Sequence, residues 1–198
     1  MTETDHCARL ADLYEDVWQR LGRGVADRRA PARHPVLATV GEARPGGTRD
    51  PDQGGFAGEA RIVVLREADK ALGRLTIHTD EASGKVAEIR ALPWATLLVW
   101  DVRARVQIRL RCRIGIRSGT QAEWARVPDP SRRAYGGAPP PGTPISAPDE
   151  YVPDADPARF TVLEADIAEI ELLHLGQEQH LRAVFRRTDG WRGAWLAP

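Results

Sequence analysis

Cysteine and lysine are both scarce in this chain of 198 residues, and each shortage excludes something. The two cysteines, Cys7 and Cys112, stand alone without CxxC spacing. That pattern favours reduced thiols in a cytoplasmic protein over a disulfide framework. Lysine occurs only at Lys70 and Lys85 among 28 basic residues, the others being arginine. A bias of this kind follows genomic base composition as readily as function, and it makes Lys85 informative, because Arg was evidently available there. Acidic residues also number 28, so the formal net charge is zero and no global field draws the chain to nucleic acid or an anionic membrane. No apolar run approaches the length of a bilayer crossing, and no apolar segment follows a basic start, so a soluble protein without a membrane partner is expected. The signatures GxSxG, HExxH, Walker A and a GxGxxG after a strand are missing, and the five histidines lack metal-ligand spacing. If the protein is an enzyme, a bound cofactor carries its chemistry.

What is present is mainly strand pattern. Residues 1–24 hold one helix: Leu10, Leu13, Tyr14, Val17, Trp18 and Leu21 form an apolar stripe from Thr4 to Leu21, with Thr2 and Asp5, or Thr4 itself, as caps and Gly22 with Gly24 as the stop. Residues 35–118 read as a barrel core. It contains strands at Pro35–Val40, Arg61–Arg66, Arg74–Thr79 and Ala95–Trp100, with a Gly/Pro/Asp-rich loop over Gly41–Gly55. The longest strand, Arg103–Arg117, alternates strictly: Ala104, Val106, Ile108, Leu110, Cys112, Ile114 and Ile116 on one face, and Arg103, Arg105, Gln107, Arg109, Arg111 and Arg113 on the other. Residues 119–157 give a helical piece over Gln121–Ala134, broken at Pro128 and Pro130, and an irregular Pro/Gly-rich loop over Gly136–Pro157. Residues 158–198 close the domain with strands at Phe160–Leu173, Leu181–Arg187 and Trp191–Leu196, the last two joined by a turn at Thr188-Asp189-Gly190. Short turns, few helices and no βαβ alternation indicate a single, mainly β domain: an antiparallel barrel with helical additions.

Donor groups recur at the ends of these elements. Ser83-Gly84-Lys85 opens a helix, whose unpaired N–H groups and positive dipole end attract phosphate, and the Ser hydroxyl and Lys amine add donors. Arg61 and Arg66 bracket the Ile62-Val63-Val64 run, and Arg has the fork geometry for phosphate or carboxylate. The Thr79 hydroxyl ends the neighbouring strand and His78 precedes it. Gln107 sits centrally in the arginine row, and its amide both donates and accepts, as the edge of a uracil-like ring requires. Glu164 and Asp166 share one parity on the Phe160 strand and can neutralise part of that row, Arg111 and Arg113 in particular. No aromatics interleave with the arginines, which argues against a nucleic-acid face.

The order Arg61-Ile-Val-Val-Leu-Arg66, His78-Thr79, Ser83-Gly-Lys85, Gln107, Arg182-Ala-Val-Phe185, Asp189-Gly-Trp191 and Leu196-Ala-Pro198 resembles the pyridoxamine 5′-phosphate oxidase family, from about Pro35 to the C-terminus. The resemblance implies an FMN-binding split β-barrel that forms a homodimer with FMN at the subunit interface. In relatives, Arg61, Ser83 and Lys85 approach the FMN phosphate, Ile62, Val63, Val64, Arg66, His78 and Thr79 line the cofactor, Gln107 reaches the isoalloxazine edge, and Arg182 closes the site. Arg66 and Ser131 then face the substrate.

The departures from the family pattern concern the substrate. Arg66 stands where members that oxidise pyridoxamine phosphate carry Lys, and Ser83-Gly84-Lys85 stands for Ser-Arg-Lys. A phosphate-gripping Arg appears as Val127, a C-terminal Arg and His pair as Glu178 and Gln179, and a Trp over the flavin as Leu172. Losing these cations argues against a second phosphate, which Glu178 would repel. The resemblance is to a shorter, bacterial-type branch: an FMN-dependent oxidoreductase acting on a small molecule. The alternatives are pyridoxamine/pyridoxine 5′-phosphate oxidase activity and a non-catalytic flavin-binding or sensing module, with split barrels that bind deazaflavin or haem more distant.

Overall fold

A computed structural model of the protein describes residues 3–42, 55–176 and 179–198. The capping role read for Thr2, the loop residues 43–54 and Glu178 lie outside the described residues. The chain opens with α1 (Glu3–Ala26) and a 3-10 turn (Pro31–Arg33), then runs through β1 (Val36–Glu42), β2 (Phe56–Ile62), β3 (Leu65–Asp69) and β4 (Arg74–Asp80). After α2 (Gly84–Ala91) come β5 (Trp94–Asp101), β6 (Val106–Ser118), and the short α3 (Gln121–Arg126) and α4 (Asp129–Arg132). A small pair, β7 (Gly136–Ala138) and β8 (Val152–Ala155), precedes β9 (Phe160–Leu175), β10 (His180–Arg186) and β11 (Gly193–Leu196).

Every strand pairing is antiparallel. The main sheet runs β11-β10-β9-β6-β5-β1-β2, and β4 joins it by pairing β9 on one side and β3 on the other. β6 and β9 form the axis, because they pair with each other over most of their length and β9 is long enough to hold two partners along its other edge. β9 pairs β4 through Phe160–Asp166 and β10 through Glu169–Leu175. The sheet curls, so that Leu37 and Leu97 from β1 and β5 share one core with Leu65, Leu75 and Ile77 from β3 and β4. Burying these side chains supplies the main drive for the curl, at roughly 25 cal/mol per Å² of apolar surface.

The α1 stripe packs on that core as expected, with Leu10, Val17, Trp18 and Leu21 buried and Tyr14 resting its ring 5.4 Å from Phe185. The helix does not stop at Gly22 or Gly24. A Cβ at Gly24 would stand 2.6 Å from the Ala32 carbonyl carbon, so Gly24 permits the 3-10 turn to lie against the helix. Its bare backbone serves close approach rather than termination.

Four other expectations are corrected. The Arg61–Arg66 strand is split, because β2 ends at Ile62, Val63 donates its N–H to the Pro35 carbonyl (3.0 Å), and the chain crosses to pair with β4. Arg103 and Arg105 belong to the β5–β6 turn rather than the strand face, Arg105 having a left-handed φ of 55°. Gly136–Pro157 is not wholly irregular, since β7 and β8 pair within it. Glu164 and Asp166 do form ion pairs, but with Arg74 and with Arg117, while Arg111 lies over the Trp94 ring instead. Among the described residues no helix is long and apolar enough to cross a membrane.

Candidate functional site

β4 ends at a buried hydroxyl that organises the first group of site residues. Thr79 Oγ1 accepts from Lys85 Nζ at 3.1 Å and lies 3.1 Å from Ser83 Oγ. Ser83 occupies the N-cap position of α2 but makes no side-chain cap bond, its hydroxyl being turned to Thr79. The first N–H groups of α2 therefore depend on something other than Ser83 Oγ. Arg61 arrives from β2, where it pairs with Leu37 and so faces inward. Its guanidinium donates to Thr39 Oγ1 and, at 2.8 Å, to Glu88 Oε2. Thr39 Oγ1 also donates to Glu88 Oε2, at 2.5 Å.

Arg61 and Lys85 are close enough to act on each other. Burial holds the Lys85 ammonium below the usual lysine range, and repulsion by Arg61 lowers it further, while Glu88 and Asp80 oppose the shift. Two cations, two hydroxyls and a helix N-terminus thus converge from β2, β4 and α2. Such a donor set fits a phosphate, whose charge would relieve the repulsion.

His78 is next to Thr79 in the chain but faces the other side of the sheet. Its ring meets Phe160 edge-on at 4.8 Å, and Phe160 in turn contacts Trp124 (5.4 Å) and Tyr135 (5.2 Å). Burial, with a smaller contribution from Arg66, pushes the His78 imidazole down to about 4, so it is neutral at pH 7. Its Nδ1 is buried without a hydrogen-bond partner, as is Nε of Arg66. Arg66 sits where the β3–β4 register shifts, between Leu65 and Glu67. Ser131 lies in α4 beside Arg132, whose guanidinium covers the Trp124 ring at 5.3 Å. Glu123, capping α3 with Thr120, is drawn down to about 2, chiefly by the Arg117 guanidinium.

Gln107 and Arg182 form a third group. Gln107 pairs with Trp100 on β5 and with Leu173 on β9, and Leu173 pairs with Arg182 on β10. They share the outer face, two strands or roughly 10 Å apart. Arg182 donates to Glu171 (2.9 Å), which also accepts from Arg109 (3.2 Å). This face carries exposed Ile62, Trp94 and Trp100. Of the linking residues, Val63 is buried and Val64 half-buried.

Within one chain, then, Arg61, Thr79, Ser83 and Lys85 come together, and Arg66 lies near His78, but Gln107 and Arg182 do not join either group. His78 is aligned through Val162 with Arg117, ten residues along β6 from Gln107. That interval spans roughly 33 Å. Sequence reasoning missed Thr39 and Glu88. Thr39 could be found as a polar residue at the inward parity of β1, since it is buried beside Leu37; Glu88 follows Lys85 by nearly one helical turn. The ring cluster of Phe160, Trp124 and Tyr135 was missed as well.

No protein-family model matches the chain, and no curated protein matches it. Solved structures do. A pyridoxamine 5′-phosphate oxidase-related, FMN-binding protein from Nostoc punctiforme PCC 73102 superposes with a TM-score of 0.69 at 24% identity, over 93% of this chain and 96% of that one. PhzG from Burkholderia lata 383, solved with tetrahydrophenazine-1-carboxylic acid, gives 0.66 at 17% identity, over 95% of this chain and 92% of that one. The chain therefore has the fold of the pyridoxamine 5′-phosphate oxidase-related proteins, and the antiparallel barrel expected from the sequence is that fold.

Proposed function

We propose that this protein is a flavoprotein that binds FMN non-covalently and uses it in an oxidoreductase reaction on a small molecule. One observation carries the reading: Arg61, Thr79, Ser83 and Lys85 converge from three elements on a donor set suited to a phosphate monoester. The FMN-binding description of the Nostoc punctiforme protein supports the same ligand.

Arg61, Lys85, the Ser83 and Thr79 hydroxyls and the first N–H groups of α2 would hold the phosphate. When bound, FMN supplies two-electron chemistry, accepting and returning a hydride. The protein contributes orientation and electrostatics. Neutral His78 offers Nδ1 for one hydrogen bond and carries no charge to repel a cationic neighbour. Arg66 offers Nε to the same region, and Ser131 on α4 would join it as the substrate-facing pair. Gln107, through its amide, would bond the ring edge, and Arg182 would close the site.

These last two stand too far along β6 to reach the same ligand as His78 in one chain. A second copy that presents its Gln107 and Arg182 face would complete the site, and the exposed Ile62, Trp94 and Trp100 give that face an apolar surface to bury. The proposed unit is a homodimer with FMN at the interface.

The absorbance spectrum of the purified protein, followed by FMN titration, tests the reading. A yellow protein, or one that takes up FMN stoichiometrically, is expected. A colourless preparation that refuses added FMN overturns it. Assay for pyridoxal phosphate formation should give none, because Val127 offers an apolar side chain where a second phosphate would need a cation.

A further inference from the structure

The first group of site residues contains a carboxylate that a phosphate site does not need. Glu88 points from α2 into the cluster with its side chain only 10% exposed, and its Oε2 accepts from both Arg61 Nη2 and Thr39 Oγ1. β1 makes room for it, because a Cβ at Gly41 would stand 2.9 Å from Glu88 Cγ. Arg61 therefore already has an anion, supplied by the protein, and Lys85 lies near enough to feel the same charge.

Resting on the phosphate-binding reading above, we infer that Glu88 is an internal counter-ion that competes with the ligand's phosphate for Arg61 and so sets the preference for phosphorylated over unphosphorylated flavin. The competition has two components. A phosphate taking the Arg61 fork must displace or share the Glu88 contact, and it must approach a carboxylate of its own sign. Both weaken the phosphate end without touching the ring. Glu88 also steadies the Arg61 guanidinium in the free protein, a smaller effect that an uncharged acceptor at the same position retains.

The test compares FMN and riboflavin, which differ only in the phosphate. Dissociation constants of both are measured by flavin fluorescence for the wild-type protein, Glu88→Gln and Glu88→Ala. Glu88→Gln keeps an acceptor for Arg61 while removing the charge, and Glu88→Ala provides a second variant should the first fail to fold. FMN binding is expected to tighten roughly tenfold in the charge-removed protein, the scale of one like-charge contact a few ångströms away when solvent screens it as strongly as bulk water does. Riboflavin binding is expected to stay unchanged. FMN affinity that is unchanged or weaker in both variants overturns the inference and leaves Glu88 as an anchor for Arg61. If the wild-type protein binds neither flavin, the functional reading falls separately. The role of Glu88 is then read by calorimetric titration with inorganic phosphate: tighter binding by Glu88→Gln supports the competition, and equal binding or none overturns it.

Discussion

Thr79 and His78 are consecutive on β4 and serve opposite sides of the sheet: Thr79 Oγ1 accepts from Lys85 Nζ at 3.1 Å, while the His78 ring stands edge-on to Phe160 at 4.8 Å. The alternation of a strand makes this division unavoidable. A His-Thr pair at the end of β4 thus ties two separate groups of side chains to one rigid element. Changes at the two positions should have separable effects, one on phosphate affinity and one on stability with pH.

Removing the cations is the most direct probe of the first group. Lys85→Ala and Arg61→Ala should each weaken FMN binding by at least tenfold, since a charge-assisted hydrogen bond contributes about 1.5–3 kcal/mol. The two differ in their effect on the fold. Lys85 is held below its ordinary range by burial and by Arg61, so its charge is a burden to the folded state, and its loss should leave the melting temperature nearly unchanged. Arg61→Ala strands Glu88 in a largely buried position and should lower it. Unchanged FMN affinity in both variants would falsify the assignment.

Much of this arrangement was legible in the sequence, and the exceptions have physical causes. The strict alternation of Val106–Ile114 marked β6, because a strand buried on one face leaves no other solution. The stripe from Leu10 to Leu21 marked α1 in the same way. Arg61, Thr79, Ser83 and Lys85 stood out as donors at element ends. Glu88 and Thr39 did not, because their bond joins residues 49 apart, and strand parity or helical spacing marks where each side chain lies without naming its partner. The break between β2 and β3 was hidden for a similar reason: an apolar run reads as one strand, and only the Pro35 carbonyl and the partner on β4 show where it turns. Gly24 was misread because a glycine looks the same whether it ends a helix or lets another segment touch it.

His78 makes stability depend on pH in a predictable direction. Its imidazole titrates at about 4 in the folded protein, against an ordinary 6.5. Between these values the unfolded chain binds the proton and the folded protein does not, so stability rises with pH across the window and falls as pH drops from 6.5 towards 4. The loss attributable to this group is at most about 3 kcal/mol, from 1.36 kcal/mol per pH unit. Glu123, drawn down to about 2, loses its contribution in a lower window, below its ordinary 4.5. Urea midpoints measured from pH 7 to 4 should therefore fall less steeply for His78→Leu than for the wild-type protein. Parallel curves for the two would remove His78 as the source.

Gln107 is expected to act on the electronics of bound flavin more than on its retention. Its amide lies on the outer face, aligned with Trp100 on β5 and Leu173 on β9, on the opposite side of the sheet from inward-facing Arg61. Gln107→Leu deletes a donor and an acceptor while keeping similar bulk. The midpoint potential of bound flavin should become more negative, because a donor that stabilises the reduced, anionic ring is gone. FMN affinity should change less than for Lys85→Ala. Spectroelectrochemistry with reference dyes measures the first and fluorescence titration the second, and an unshifted potential would count against the role proposed for the amide.

The two-chain character of the proposed site can be tested by restoring function from two defective proteins. One variant carries Arg61→Ala with Lys85→Ala and lacks the phosphate end; the other carries Arg182→Glu and lacks the closing end. Each homodimer has both of its sites broken. In a mixed dimer one site receives both defects and the other receives none. Co-expression with random pairing makes half the dimers mixed, so about one site in four should regain FMN, as the reciprocity of a two-fold interface requires. If Arg182 instead acted on the phosphate cluster of its own chain, every site in the mixture would keep a defect and no binding would return. Analytical ultracentrifugation of Trp100→Arg supplies the matching physical measurement. Placing a charge on one of the exposed aromatics of the outer face should convert the dimer to monomer and lose FMN with it, whereas a monomer that retains FMN would show that one chain suffices.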